Sequence, residues 1–166
     1  GQLSKEENWL DGKKNGSFKF YNDKGDLTAL INYKNDKNHG VLESWYENGT
    51  RKDRINYKNG ELHGQKEYWN EKGHISWRLQ YLNGKKNGAH SYWDNSGKLR
   101  AIFNYRNNVK HGRVQYWSHY DDGYMDREYR NGSVISEECW VWVGSEYERP
   151  CDCDRIVYLN FYNEDL

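Results

Sequence analysis

Histidines recur at a fixed interval and raise the question of a metal site. His39, His63 and His111 follow one another at intervals of 24 and 48 positions, each directly before a glycine. Zinc ligands must converge within about 2.0–2.3 Å of one ion. Residues one repeat apart would instead lie roughly 9.6 Å apart if each repeat adds two strands to a sheet. We therefore interpret these histidines as turn residues.

The chain's three thiols lie close together near its C-terminus. They are Cys139, Cys151 and Cys153, with Asp152 and Asp154 beside them. Structural zinc usually takes four ligands from well-spaced pairs, and no second pair of cysteines is present. We predict no metal here, and either free thiols or one local disulfide.

Catalytic motifs are not apparent in the sequence. Carboxylates are plentiful, but nothing in their spacing brings a pair into a pocket as a general acid and base would require. No Ser/His/Asp order belongs to a nucleophile motif, and no glycine-rich phosphate loop precedes a helix. We predict a protein without catalytic residues, cofactor or metal.

The residues that must position any site repeat every 24 positions. Two aromatic series keep this period: Trp9, Tyr33, Tyr57, Tyr81, Tyr105 and Tyr129, and then Tyr21, Trp45, Trp69, Trp93 and Trp117. Glycines keep it in three further series that begin at Gly12, Gly16 and Gly25. A fixed period of this length is typical of stacked arrays, in which each unit contacts mainly its neighbours.

One repeat contains the signals of a hairpin. Asn59-Gly60 and Lys72-Gly73 are turn signals, because glycine accepts the positive φ of tight turns. Between turns, apolar and polar residues alternate, which is typical of a strand; the apolar positions are Ile75, Trp77, Leu79 and Tyr81. We predict an all-β protein, an elongated single-layer antiparallel β-meander built from 24-residue hairpin repeats.

Departures from the repeat are informative. Asp36 and Asn108 replace the first glycine, and both residue types tolerate left-handed turn geometry. Arg51, Asp53 and Arg127 interrupt the apolar row. These three either face water at edges or make the polar contacts of a recognition site.

The 24-residue spacing of glycines and aromatic residues is lost after Tyr129, and this sets the predicted domain boundaries. We expect a lead-in at residues 1–8, five tandem hairpin repeats plus the start of a sixth at 9–132, and a divergent capping hairpin at 133–166. Its strands are predicted around 139–143 and 155–162. Terminal units of repeat arrays are atypical because they close an open end.

Aromatic rings and charge indicate where a partner would bind. Most rings are expected to cover one another and nearby lysine stems. The alternative is that part of the ladder forms a binding surface. Residues 1–115 hold 21 Lys/Arg and 13 Asp/Glu, and residues 116–166 hold 4 and 12. The acidic end would suit a basic partner. The candidate partner-binding residues are Tyr57, Trp69, Trp77, Tyr81, Trp93, Tyr105, Asp121, Asp122, Asp126 and Glu128.

The unit Tyr-x-Asn-Gly-x-x-x-Gly-x-x-x-x-Trp-x-x-x-Gly resembles the MORN-repeat variant of bacterial YwqK-like proteins. The resemblance covers residues 9–132 and is clearest at Tyr57–Gly73 and Tyr81–Gly97. It implies an elongated antiparallel sheet of hairpins without catalytic residues. It also implies an antitoxin or immunity protein of a bacterial toxin system, since YwqK-like proteins commonly carry that label.

Three functions follow as hypotheses. The first is that the protein binds directly to a toxin with a basic surface and neutralises it. The second is a cell-envelope or surface glycan-binding module that stacks sugars on Tyr and Trp. The third is a membrane-peripheral scaffold whose Lys13-Lys14 and Lys85-Lys86 turns meet anionic lipid.

Other partners and the location follow from composition. Nucleic acid is not favoured, because Glu61, Glu67, Glu71 and Asp94 are interleaved with the lysines. No stretch is long and apolar enough to span a bilayer. A cytoplasmic location is favoured, with an envelope-associated one as the alternative, because Gly1 is not an initiator Met. The sequence predicts no oligomeric state.

Overall fold

The computed structural model describes residues 4–118, 123–143 and 146–148, and its regular elements are all β-strands. The first nine are β1 Lys5–Glu6, β2 Trp9–Leu10, β3 Lys13–Lys14, β4 Gly16–Tyr21, β5 Leu27–Lys34, β6 Lys37–Trp45, β7 Arg51–Lys58, β8 Glu61–Trp69 and β9 Ile75–Leu82. The others are β10 Lys85–Lys86, β11 Gly88–Trp93, β12 Leu99–Arg106, β13 Val109–Lys110, β14 Gly112–Trp117, β15 Gly123–Arg130, β16 Ser133–Val143 and β17 Glu146–Glu148.

The strands form one open antiparallel sheet. Its order is β1-β4-β5-β6-β7-β8-β9-β11-β12-β14-β15-β16-β17, so neighbouring strands follow one another in the chain except where the short strands β2, β3, β10 and β13 intervene. The short strands β10 and β13 pair beside β9 and β12, and β2 pairs with β3 as a separate hairpin. The sheet does not close on itself, which confirms the predicted single-layer β-meander.

Tight turns along one long side of the sheet have the geometry that their residues predict. Asn59 and Gly60 have φ values of 54° and 91°, and two positive values define the hairpin turn with the matching twist. Asp36 and Asn108 also have positive φ, at 65° and 71°, as predicted. The side chain of each accepts a backbone N–H of the preceding repeat, at 2.8 Å from Lys14 and 2.7 Å from Lys86. They therefore add a contact that glycine lacks.

Successive turns on this side are joined by backbone hydrogen bonds. The N–H of Gly60 donates to the carbonyl of Asn38 at 2.8 Å, and the N–H of Gly84 donates to that of Leu62 at 2.8 Å. The same bond recurs at Asp36, Asn108 and Gly132. The spacing of the turns is thus held by the backbone as well as by the sheet.

The periodic histidines contact these turns without lying in them. The prediction of turn residues was wrong for His39 and His63, because the pairing of each hairpin continues past the turn and places them in β6 and β8. His111 lies between β13 and β14. The backbone N–H of Asn59 donates to His39 Nδ1 at 3.3 Å, and that of Asn131 donates to His111 Nδ1 at 3.4 Å.

The glycine series that begins at Gly16 is explained by a series of asparagines. Asn32, Asn56 and Asn104 each donate a side-chain N–H to a backbone carbonyl of the next strand, at 2.6–2.7 Å. Each side chain lies against a glycine of the series. A Cβ at Gly64 would lie 3.3 Å from Asn56 Cβ, and Gly64 has φ of 101°. Both the space and the backbone therefore require glycine.

Substitution of Gly64 by alanine should lower the free energy of unfolding by about 1–3 kcal/mol, because it strains both φ and the Asn56 contact. Gly84→Asn is the matched control. Gly84 has no neighbour within 4 Å of its Cβ position, and Asn108 occupies the equivalent turn with positive φ. Urea unfolding should place Gly84→Asn within about 0.5 kcal/mol of wild type. Equal losses in both variants would contradict this account of the series.

The sheet has two faces with different side chains. Directly opposed residues on adjacent strands lie on the same face. The ring face is defined by Phe18, Trp77, Tyr92, Phe103 and Tyr116, and the ion-pair face by Glu43, Arg54, Glu67, Arg78 and Asp126. The largest buried cluster lies on the ring face of β12 to β16 and contains Ala101, Phe103, Val114, Tyr116, Met125, Tyr129 and Cys139.

The sheet continues beyond the repeats. Strand β16 pairs along β15, and β17 pairs with β16 in a short hairpin. The second strand of the predicted cap, 155–162, lies outside the described residues. The domain boundaries at 8 and 132 stay predictions.

Candidate functional site

The six candidate rings divide between the two faces. Tyr57, Trp77, Tyr81 and Tyr105 lie on the ring face by their register, and Trp69 and Trp93 lie on the ion-pair face. All six are half-buried. They are therefore two separate surfaces, and no single partner contact covers all of them from one side.

Rings on the ring face are packed against one another and against lysines. Tyr68 and Trp77 stack with centroids 5.3 Å apart, and Lys66 Nζ lies 5.1 Å from the Trp77 ring. Lys86 Nζ lies 5.2 Å from the Tyr105 ring. Ammonium groups at this distance are attracted by the ring quadrupole. These contacts confirm that the rings cover each other and nearby lysine stems.

The ring face is closed in the C-terminal half, while the ion-pair face is not. Ala101 and Val114 on the ring face are fully buried. On the other face of the same two strands, Ile102 and Gln115 are half-buried and Arg113 is exposed. Among the described residues of this half, the surface open to an external partner therefore lies on the ion-pair face and at the edges of the sheet.

A buried histidine lies in the ring face between two tyrosines. His90 is fully buried, with ring centroids 5.5 Å from Tyr81 and 4.8 Å from Tyr105. Its Nε2–H donates to the Gln80 carbonyl at 2.8 Å, and its Nδ1 has no hydrogen-bond partner among the described residues. Burial, and then the charge of Lys86, lowers the pKa of His90 to about 4 although the Gln80 bond opposes this. The ring is therefore neutral at pH 7.

No sequence signal pointed to His90. The equivalent position in the other repeats holds Phe18, Leu42, Lys66 or Val114. Periodicity therefore predicts that the side chain at this position lies on the ring face, but it does not predict a histidine.

A ladder of alternating charges crosses four strands of the ion-pair face. Glu43 lies opposite Arg54, Arg54 opposite Glu67, and Glu67 opposite Arg78. Arg78 Nε donates to the Glu67 carboxylate at 2.7 Å, and Arg54 Nη1 lies 3.7 Å from it. Glu67 is only 5% exposed. Two cations thus compensate the buried carboxylate.

The residues that interrupt the apolar row make internal contacts. Arg51 lies 3.2 Å from the Glu43 carboxylate, and its guanidinium is 5.6 Å from the Trp69 ring. Asp53 accepts a hydrogen bond from Ser44 Oγ at 2.7 Å. Arg127 donates to the Glu137 carboxylate. Cross-strand partners therefore account for these three departures from the repeat.

The acidic candidates are partly engaged within the chain. Asp126 accepts from Arg113 Nε at 2.6 Å and from the Tyr124 hydroxyl at 2.7 Å. Burial raises the pKa of Asp126, but these two donors outweigh burial and hold it below its usual value. Glu128 lies opposite Arg113, and Asp121 and Asp122 lie outside the described residues. Asp126 is thus already neutralised by a neighbour.

Cys139 is buried and forms a disulfide, which is one of the two predicted alternatives. Cys151, Cys153 and their neighbouring aspartates lie outside the described residues. Within the part of the chain that the structure describes, no three His, Cys, Asp or Glu side chains are grouped to hold a metal ion. The same part contains no helix with the length and apolarity to cross a membrane.

Comparison with known protein families agrees with the geometry. Residues 14–35, 38–59 and 86–107 match the family model described as MORN repeat variant. Residues 60–85 lie between the matched segments and pair in the sheet as their neighbours do. No curated protein matched the chain. Over three of its units, the chain is similar to the MORN repeat variant, whose family is generally a non-enzymatic binding module.

Proposed function

We propose that this chain binds another protein without catalysis, and that the partner is a toxin which it neutralises as an antitoxin or immunity protein of the YwqK-like type. The matches to the MORN repeat variant support a binding module. The resemblance of the repeat unit to YwqK-like proteins supports the finer role. The cytoplasm is the location proposed for this function.

Accessibility of the ion-pair face carries the proposal. Trp69 and Trp93 stand one repeat apart on this face, and both are half-buried. Arg51 lies over the Trp69 ring, and Arg78 lies 5.9 Å from the Trp93 ring. Trp and Arg are the residue types that most often dominate binding energy at protein interfaces. A row of preordered Trp and Arg side chains on an open face therefore suits a protein partner.

Co-expression with the product of the neighbouring gene tests the proposal. We expect a complex in size-exclusion chromatography with light scattering, and restored growth of cells that express the toxin. Trp69→Ala and Trp93→Ala should each weaken the complex roughly 30-fold, corresponding to about 2 kcal/mol at a hot spot. Trp77→Ala is the matched control, since Trp77 is also half-buried but lies on the ring face. A complex unaffected by both ion-pair-face variants, with folding confirmed by circular dichroism, would contradict the assignment.

The disulfide of Cys139 favours a second candidate function. Disulfides persist mainly in oxidising compartments, which suits an envelope or surface glycan-binding module. Binding to a glycan array, lost in Trp69→Ala and Trp93→Ala, would support this alternative over toxin neutralisation.

A further inference from the structure

The two long sides of the sheet differ in charge. The turn edge consists of residues 10–14, 34–38, 58–62, 82–86, 106–110 and 130–134, which form or flank the tight turns of one side. It holds ten Lys/Arg and three Asp/Glu. The opposite edge, residues 22–26, 46–50, 70–74 and 94–98, holds three Lys/Arg and five Asp/Glu. The sheet is therefore basic along one side only.

Exposed cations of the turn edge are not neutralised by the described residues. Seven of the ten are exposed, among them Lys34, Lys37, Lys58 and Arg106. None of the seven forms an ion pair within the described ranges, whereas Arg54, Arg78 and other bases on the ion-pair face do. Lys34 lies directly opposite Lys37, and like charges in that position are destabilising.

The turn edge also carries the exposed apolar side chains of the described residues. Leu10, Leu82, Val109 and Val134 lie in it, and Trp9 and Ile135 directly adjoin it; all six are between 43% and 58% exposed. Scattered single apolar residues are ordinary at a surface. Here they share one edge with the unpaired cations, so the edge offers both charge and apolar contact.

We infer that the turn edge binds an extended acidic polypeptide segment with interspersed apolar side chains. This inference rests on the proposed function, because the segment would belong to the protein partner. Carboxylates of the segment meet the unpaired lysines and arginines, and its apolar side chains meet Leu82 and Val109. The hydrogen bonds between successive turns, such as Gly60 N–H to the Asn38 carbonyl, hold the cations at a constant interval.

The shape of the edge favours a flexible chain over a flat surface. Adjacent strands are rotated by roughly 20–25°, so the edge of a path of 13 strands winds through more than half a turn. A membrane would meet only a few consecutive turns at once. Single-stranded nucleic acid binds where its bases can stack on several exposed aromatic rings. Among the described residues, one exposed ring, that of Trp9, adjoins this edge, so nucleic acid is disfavoured. An extended polypeptide can follow the winding edge and use all six turns.

The probe is a fluorescein-labelled peptide of repeated Glu-Asp-Leu units, followed by fluorescence anisotropy at low and high salt. We expect binding that weakens with salt, since exposed ion pairs are screened. Lys34→Gln/Lys37→Gln should weaken binding by about tenfold. The matched control is Lys24→Gln/Lys72→Gln, which removes the same charge from the opposite edge and should change affinity less than about twofold.

Each alternative has a distinct result. Equal losses in the two double variants would show a response to net charge alone and overturn the inference. Tighter binding to oligothymidylate, or to vesicles that contain phosphatidylglycerol, would overturn it in favour of nucleic acid or membrane. The toxin complex is then measured with the same variants. A complex unaffected by Lys34→Gln/Lys37→Gln would overturn the inference and leave the proposed function standing. If no toxin complex forms but the peptide still binds, the proposed function fails and the inference about the turn edge stands.

Discussion

Replacement of Phe103 by alanine should lower the free energy of unfolding by about 3–5 kcal/mol, the range for a buried aromatic residue. Phe103 is 2% exposed in the cluster of β12 to β16. Its ring meets the edges of two neighbours, with centroids 5.5 Å from Tyr92 and 5.0 Å from Tyr116. Because these side chains are held on paired strands, they cannot collapse into the space that the ring leaves.

Urea unfolding monitored by circular dichroism measures this loss. Phe20→Ala is the matched control, since Phe20 occupies the ring face of β4 but is only half-buried. We expect Phe20→Ala to cost less than half as much, because stabilisation scales with the apolar area removed from water. Equal costs would contradict the location of the main core in the C-terminal strands.

Turn chemistry explains why the fold could be predicted. Asn59-Gly60 and its counterparts every 24 residues specify hairpins, and alternation between them specifies strands. Both are local properties of the chain, so the order of strands and their antiparallel pairing follow directly. Asp36 and Asn108 have positive φ although they replace glycine, so residue types that tolerate left-handed geometry also predicted the turn there.

The division of the candidate rings could not be predicted in this way. Trp69 and Trp77 are eight residues apart, an even number that suggests one face. A bulge between Tyr68 and Trp69 changes the register, so that Trp77 lies opposite Tyr68 and Ile75 lies opposite Trp69. An extra residue of this kind reverses the alternation beyond it, and the repeat pattern alone does not reveal it.

The charge ladder was missed for a different reason. The members of the ladder become neighbours only across strands: Glu43, Arg54, Glu67 and Arg78. The equivalent positions of other repeats hold Lys19, Leu30, Ser91 and Ile102. Periodic analysis emphasises what repeats share. The contacts that distinguish this chain lie where its repeats differ.

His90 should make stability depend on pH in a predictable window. Its pKa is about 4 in the folded protein, against 6.5 for an unperturbed histidine. Above about pH 6.5 neither state is protonated at this residue, so it contributes no pH dependence. Between about pH 6.5 and 4 the unfolded chain binds a proton that the folded protein does not, and stability falls as pH falls. The expected loss is roughly 2–3 kcal/mol across this window.

The comparison of wild type with His90→Leu isolates this effect, since Leu42 fills the equivalent position of another repeat. Carboxylates also titrate near pH 4, but they do so in both proteins and cancel in the difference. Urea unfolding at several pH values should show the difference between wild type and variant constant near pH 7, then shifting by roughly 2 kcal/mol in favour of the variant by about pH 4.5. A constant difference between wild type and His90→Leu would mean that the His90 ring is protonated as readily in the fold as in the unfolded chain. A fully buried Nδ1 without a partner among the described residues does not favour this.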